Sequence, residues 1–506
     1  MEHHESHNPN DIAIQINEML EKAKPLYKDE YCIYRVYYEI RSSNADAYTP
    51  IVVSIVKGNT SLIHKGHKMA RPDPDEATMK IIKTRLEEAK PRFSEECCIY
   101  RVPSNIRKHN EDAYTPEVVS IGPFHHGNKN LLDMEHQKSL YCRQFIERSQ
   151  TKNLESFVSC VQELEARICG CYSDEIKLSK EELVMLILVD SCFILQFLLR
   201  YHFMFTHGDN AFLLPQRLRH YIRNDLLLVE NQVPFFVLEK LYYLAFPSAL
   251  NGDDLHNHPP LLLLTLFILP SSIISLDKVD NVILLLFNID GISHFTDLSR
   301  KLLLRSSQLF QPSTSGCSRE AQAMHIYSAT ELNELGVKFE VNKNSQCLLD
   351  LQLSPHTLRI PFTRVENSTE IVLRNLLAFE QCHCIRESYL TDYIIFLDFL
   401  INTDKDVDLL IKKGIIEGGL GDSNAVAKMY NGLAVNILTP NFNVKYSHIF
   451  EKLNAFCARP WNKRVATLKR DYCNTPWKTV ASIAGIFLLI LTIIQTVFSI
   501  LQVVLS

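Results

Sequence analysis

Two adjacent imidazoles, His125 and His126, sit inside the hexapeptide Gly122-Pro123-Phe124-His125-His126-Gly127. Such a pair could ligate a metal or carry protons near neutral pH. Consecutive side chains rarely converge on one ion, however, and the helpers that follow closely are Asp133, Glu135 and His136. The bland reading, a structural turn, outweighs a metal or catalytic one. A second candidate is Glu230-Asn231-Gln232, which follows Leu226-Leu227-Leu228-Val229 and precedes Pro234. A polar triplet in so apolar a run is expected to be buried and hydrogen-bonded, as a network joining helices rather than a ligand site. Asp190 lies inside the apolar run Leu183–Leu199 and needs an arginine or backbone partner there. Cys382-His383-Cys384 offers soft ligands but has no second pair at zinc spacing. No nucleophile elbow, phosphate-cradling glycine loop, kinase set or HExxH motif occurs. These residues therefore imply no metal and no cofactor.

The elements that must hold these groups are mainly helical. Leu131–Glu147 is amphipathic, and Phe157, Val161, Leu164, Ile168 and Cys171 recur on one helix face. Leu183–Leu199 reads as a core helix rather than a membrane span, because Asp190 at its centre would cost about 3 kcal/mol in a bilayer. Leu261–Leu269 and Val282–Ile289 are too short to span. Leu226–Leu244 is expected to be helical with a break or kink at Pro234. Asn251–Pro260 and Gln311–Ala321 read as polar loops. Val337–Pro361 changes to alternating apolar and polar residues and predicts short strands. Helices resume over Thr369–Phe379. Thr403 with Asp406 predicts a capping box for a helix over Asp404–Lys413, closed by Gly414.

Composition bounds the class. The 506 residues are 46% hydrophobic and 22% charged, ordinary for a folded protein, and the net charge of -5 excludes a generally basic nucleic-acid binder. The 14 cysteines are scattered rather than set in a disulfide framework. Met1–Leu20 is polar and lacks a signal-peptide pattern.

The C-terminal run Val480–Leu505 contains no charged residue. A bilayer core of about 30 Å needs about 20 apolar helical residues, so this run predicts a transmembrane helix over about 480–503, inserted as a tail anchor. Arg459, Lys463, Arg464, Lys469, Arg470 and Lys478 precede it against the single acid Asp471, and Trp477 marks the interface. The positive-inside rule then places the large domain in the cytosol of a single-pass protein of the plasma membrane or an endomembrane. The sequons at Asn59 and Asn367 would be used only on the luminal side.

The chain also repeats itself. Glu21–Ile55 aligns without gaps to Glu87–Ile121, with more than half the positions identical. One period is a partial duplication, not a solenoid. Only the second copy continues into Gly122–Gly127 and a helical segment, so it is the copy expected to join the fold. The stretch Lys65–Asp75, with Pro72 and Pro74, reads as a linker. The expected organisation is an N-terminal extension over residues 1–84, a helical domain over 85–470, and a juxtamembrane segment with the helix over 471–506. The fold class is mainly α: a large helical soluble domain with a few short strands, plus one C-terminal transmembrane helix.

Several blocks resemble a large plant family whose shared domain is known only as domain of unknown function 247. They are Ile99-Tyr100-Arg101-Val102-Pro103, Tyr114-Thr115-Pro116, the Ser120–Gly127 run, and Met134-Glu135 with Lys138 and Tyr141. Further blocks are Asp190-Ser191-Cys192-Phe193, Asp225–Phe236, Ala329–Phe339, Asn375–Glu380, Asn402–Val407, Gly414-Ile415-Ile416 and Pro476-Trp477. Together they run in order from about Glu95 to the C-terminus. The resemblance implies a C-terminal membrane helix after a helical domain, no known enzymatic activity, and, from some relatives, a part in pollen–stigma recognition. The extra first copy departs from the family pattern, with Tyr37 in place of Pro103 and no GPFHHG ending. The functional expectation is a membrane-anchored interaction or signalling component with the lipid bilayer and an unidentified protein as partners, and no nucleic acid. The alternatives are an enzyme with a site near His125 and His126, joined by Glu230 or Asp190, and a purely structural membrane protein.

Overall fold

The computed structural model describes residues 33–41, 48–56, 75–88, 94–151, 153–207, 214–250, 257–270, 289–307, 327–343, 347–418, 421–438, 442–460 and 476–505, with a few isolated positions between them. The polar N-terminus, nearly all of the Lys65–Asp75 linker, Asn59, most of Asn251–Pro260 and of Val282–Ile289, the Gln311–Ala321 loop and the cations from Lys463 to Arg470 lie outside those residues.

The chain divides into two compact units, Met1–Lys90 and Pro91–Ser506. In the first, β1 (Ile33–Arg41) and β2 (Tyr48–Val56) pair antiparallel, from Ile33 opposite Val56 to Arg41 opposite Tyr48. Both are rich in the aromatic and β-branched residues that favour strands. Helix α1 (Glu76–Glu88) follows, and Asp75 caps it by accepting the Thr78 N–H at 3.2 Å.

The second unit is mostly helical. Its first part consists of α2 (Asp133–Arg148), α3 (Leu154–Gly170), α4 (Lys180–His207), α5 (Gln216–Asp225) and α6 (Phe235–Ala245). The long α4 is the hub, with α2, α3 and α6 packed around it. Phe193, Ile194, Leu195, Phe197, Leu198 and Leu199 on α4 are all fully buried. The expected helix over Leu226–Leu244 begins only at Phe235, with Pro234 as its N-cap. Leu226–Val233 is an irregular loop instead, because its polar side chains bind backbone groups that a helix would have satisfied internally.

Beyond it come α7 (Phe295–Arg305) and α8 (Ala329–Glu334), the latter closed by a Ser328–Glu331 capping box. The expected strands are β3 (Lys338–Val341), β4 (Gln352–Ser354) and β5 (Thr357–Ile360), in the order β3-β5-β4. β3 runs parallel to β5, and β4 antiparallel. A second small sheet pairs β6 (Thr363–Val365) in parallel with β7 (Ile416–Gly418). Around these sheets lie α9 (Asn367–His383), α10 (Tyr389–Leu400), α11 (Asp404–Lys412), α12 (Ser423–Leu433) and α13 (Val444–Cys457). The Thr403–Asp406 capping box is present, and Gly414 takes a φ of 70° just past the helix end.

Helix α14 (Pro476–Leu505) closes the described chain. Val480–Gln502 within it is a candidate membrane span, and none of its most apolar window is buried. Lys180–Phe205 passes the same test of length and apolarity, but 83% of its window is buried. It is a core helix.

Candidate functional site

The motif residues converge on one feature, the extended second repeat copy from Ile99 to Gly122. This segment has almost no regular structure: a single bridge from Ile99 to Tyr172, a turn of helix at Ser104–Arg107 and a 3-10 turn at Asp112–Tyr114. Where the segment is buried, at Ile99, Val102, Ala113 and Val119–Gly122, its backbone polar groups need partners. Side chains from the following helices and from the Leu226–Val233 loop supply them.

Asp225, at the end of α5, accepts N–H groups from Glu117, Val118 and Val119 at 2.9, 2.8 and 2.9 Å. Burial pushes its carboxyl up to about 7, against the pull of those three donors. Asn231 accepts from Ile121 N at 2.7 Å and donates to Val119 O and Asp225 O at 2.9 and 3.0 Å. Gln232 donates to Leu226 O and Leu228 O, both at 2.7 Å, and accepts from Phe295 N at 3.1 Å. Asn375 on α9 accepts from Val229 N at 2.9 Å and donates to Ala113 O at 2.7 Å. It thereby ties the second half of the unit to the same segment.

Asp190 sits at the centre of α4 with no solvent exposure. One oxygen accepts Gly122 N at 2.8 Å and the other accepts Lys138 Nζ at 2.6 Å. Lys138, on α2 and equally buried, also reaches Ser120 O at 2.9 Å and Glu135 at 2.8 Å. Burial works to lower the Lys138 ammonium, but Asp190 and Glu135 outweigh it and keep the lysine charged. The partner required for Asp190 is thus a lysine together with a backbone N–H. Gly122 is fixed by geometry: its φ is 70°, and a Cβ there would stand 2.4 Å from Gln232 O.

Glu230 holds the outer end. Its side chain is buried, accepting Val102 N at 2.6 Å, with Arg107 at 2.5 Å, Arg101 at 3.3 Å and His125 at 3.4 Å. Burial alone would raise its carboxyl, but His125, Arg107 and the Val102 N–H overcome that and hold it down at about 2. His125 Nε2 stands 3.4 Å from the carboxylate, too long for a well-formed hydrogen bond. The two imidazoles do not converge. His125 turns inward to Glu230, whereas His126 and Gly127 are exposed. Pro123 lies between Gly122 and Phe124, whose ring packs edge-on against Tyr172 at 5.3 Å and under Arg101 at 4.3 Å.

Asp190, Glu230, Asn231, Gln232, Gly122 and His125 therefore belong to one connected network, and His126 stays outside it. Cys382-His383-Cys384 is remote in role: His383 Nδ1 lies 3.0 Å from the Tyr100 hydroxyl and its ring stacks on Phe379. Among the described residues no three His, Cys, Asp or Glu side chains gather as a metal site. Arg101, Arg107, Asp225 and Asn375 join the network as well, although no local motif marks Arg101, Arg107 or Asn375 for it. Asp225 carried a readable signal, an acid directly before a leucine run. His294, which caps α7 and contacts Cys98 O at 3.0 Å, carried none.

Among the described residues, a helical body pinned by a buried polar network is followed by one exposed apolar helix that is a candidate membrane span. The model of a plant protein family of unknown function, domain of unknown function 247, matches residues 99–491, and the chain belongs to that family. It is similar to the Arabidopsis thaliana protein "UPF0481 protein At3g47200", with 30% identity over 81% of this chain and 87% of the relative. It is also similar to "Putative UPF0481 protein At3g02645" of the same plant, with 24% identity over 78% of this chain and 89% of the relative. No solved structure matches.

Proposed function

We propose that this chain is a membrane-tethered protein whose helical body binds a protein partner in recognition or signalling. The observation that carries the reading is the exposed, uncharged stretch Val480–Gln502, long enough to cross a bilayer. The motif residues support a binding scaffold over an enzyme, because Asp190, Asn231 and Gln232 spend their hydrogen bonds on backbone groups of their own chain. A body built this way presents a fixed surface, which suits recognition. The basic positions before the helix favour a cytosolic body.

Vesicle flotation of the full chain and of a Leu489→Asp variant tests the tether. The full chain floats with the lipid and a smaller fraction of the variant does, and a full chain that stays at the bottom would overturn the reading. Proximity labelling with the body fused to an unrelated membrane helix tests the partner, since loss of every reproducible neighbour sinks it. Orientation is read from Asn367, which is exposed at the first turn of α9. Endoglycosidase-sensitive sugar on Asn367 places the body in the lumen instead of the cytosol.

A further inference from the structure

Cys98 and Cys171 occupy neighbouring positions in the bridge that ties the second repeat copy to the body. Ile99 pairs in parallel with Tyr172. The Cys98 and Ile99 N–H groups both donate to Cys171 O at 2.9 Å, and Ser173 N–H donates to Ile99 O at 2.9 Å. Cys98 and Cys171 are therefore register neighbours. Paired strands lie about 4.8 Å apart with register partners on a common side, inside the Cα separation of about 4.4–6.8 Å that a disulfide spans. Both cysteines are free thiols here.

Both also line one cleft of about 1070 Å³, formed by α3, α6 and the loop from Ile289 to Ser293. Acids dominate its rim. Arg167 is already engaged by Glu96 at 3.1 Å and by the Phe236 ring at 3.9 Å. That leaves Glu163, Glu239 and Asp290 against Lys240. Cys98 and Cys171 are 7% and 2% exposed, and a second thiol pair, Cys142 with Cys192, differs from them in lining no part of the cleft.

We propose that Cys98 and Cys171 form a thiol–disulfide exchange site, reached through the cleft by small neutral or cationic disulfides, whose oxidation staples the second repeat copy to the end of α3. Cys171 is the attacking sulfur. Contact with the Cys98 thiol lowers the Cys171 thiol and raises Cys98, while the Cys171 S–H also donates to Arg167 O at 3.3 Å. The Cys171 thiolate attacks one sulfur of the small disulfide, whose S–S bond breaks and releases a thiolate that takes up the displaced proton. Cys98 then gives up its proton and attacks the Cys171 sulfur of the mixed disulfide, expelling the second small thiol. One small disulfide is reduced to two thiols, and two cysteine thiols become one disulfide. The site is independent of the tether and of the side of the membrane the body faces.

The test treats the purified full chain, in detergent under native conditions, with cystamine, 2-hydroxyethyl disulfide and oxidised glutathione at low and high salt. Peptide mapping is expected to show a cross-link between the tryptic peptides Phe93–Arg101 and Ile168–Lys177, with fragmentation placing it on Cys98 and Cys171. Cys98→Ser and Cys171→Ser abolish it, whereas Cys97→Ser and Cys169→Ser retain it. Dicationic cystamine reacts about tenfold faster than anionic oxidised glutathione at low salt, and added salt closes the gap. A cross-link through Cys97 or Cys169, mixed disulfides that never resolve, or rates blind to reagent charge would overturn the proposal. If a serine variant does not fold, the fragmentation map of the unaltered chain decides alone.

Discussion

Helix α4 and the candidate span in α14 are near twins in length and apolarity, yet α4 is the buried hub of the body and the Val480–Gln502 window is fully exposed. The difference lies in one carboxylate and its partners. Asp190 would be costly in lipid, but in the body Lys138 and Gly122 N–H satisfy it. α14 has no such group between Val480 and Leu505. Its hydroxyls turn back on their own helix instead, with Thr492 bonding Leu488 O at 2.8 Å and Thr496 bonding Thr492 O at 2.7 Å. The core helix thus carries a charged group that its folded neighbours satisfy, and the exposed candidate span carries none.

The largest effect is expected from breaking the α4 pair. Lys138→Met leaves Asp190 buried beside Glu135 with no cation and should cost about 3–5 kcal/mol in urea unfolding of the full chain in detergent. Lys138→Met with Asp190→Leu should recover much of that, less the Gly122 N–H left without an acceptor. If the single variant unfolds at the same urea concentration as the unaltered chain, the pair does not define α4.

Titration separates the same two regions. Burial holds Asp392 up at about 8 and Asp225 up at about 7 in the body. A carboxyl whose folded value lies above its unfolded value, about 3.9, favours folding while protonated. That advantage declines as pH rises from about 4 and is exhausted once pH passes the folded value. For Asp392 alone the loss between pH 5 and pH 8 is on the order of 3 kcal/mol. Melting of the body should therefore fall across that range, and Asp392→Asn should flatten part of the fall. Flotation through α14, which has no titrating group between Val480 and Leu505, should not change. A pH-independent melting curve would contradict this assignment.

Placing a charge on the other helix tests the converse. Leu489→Asp puts in α14 what Asp190 is to α4, without a lysine to meet it. Insertion scales set the cost at about 3 kcal/mol, so the floating fraction of the variant should fall while its body melts at an unchanged temperature. Loss of body stability would show that α14 also serves the core.

Much of the fold was legible because it follows local patterns. The α4 helix, the Thr403 cap and the strand-forming run after Val337 are written in periodicity and capping chemistry. The two copies of the repeat show where such reading ends. In the first copy β1 pairs antiparallel with β2, whereas Ile99–Gly122, with the same Tyr-Arg-Val and Ala-Tyr-Thr-Pro blocks, runs mostly without regular structure. Pro103 has no N–H for a strand ladder, and Asp225, Asn231, Glu230 and Asn375 bind backbone that a hairpin would pair with itself. Those partners lie more than a hundred residues downstream, and no local pattern in the second copy announces them. The network's polar members were recognisable as buried, but the segment they hold was not.

The smallest effect concerns two glycines, one in each region. Gly122 is the hinge at which the second copy turns into the His125 loop. A Cβ there meets Gln232 O at 2.4 Å and Tyr172 Oη at 3.0 Å, with φ at 70°. Both the positive φ and the backbone oxygen oppose it, and neither can yield without moving the Leu226–Val233 loop. Gly122→Ala should therefore destabilise the body by about 1–3 kcal/mol. Gly485 in α14 has nothing within 4 Å of an added Cβ. Gly485→Ala removes a residue that weakens helices and should leave the body unchanged while strengthening α14 by up to about 1 kcal/mol. Calorimetry of both variants, with circular dichroism of the isolated Pro476–Leu505 peptide in micelles, reads the contrast. If Gly122→Ala melts with the unaltered chain, the tight approach to Gln232 is not what fixes the turn.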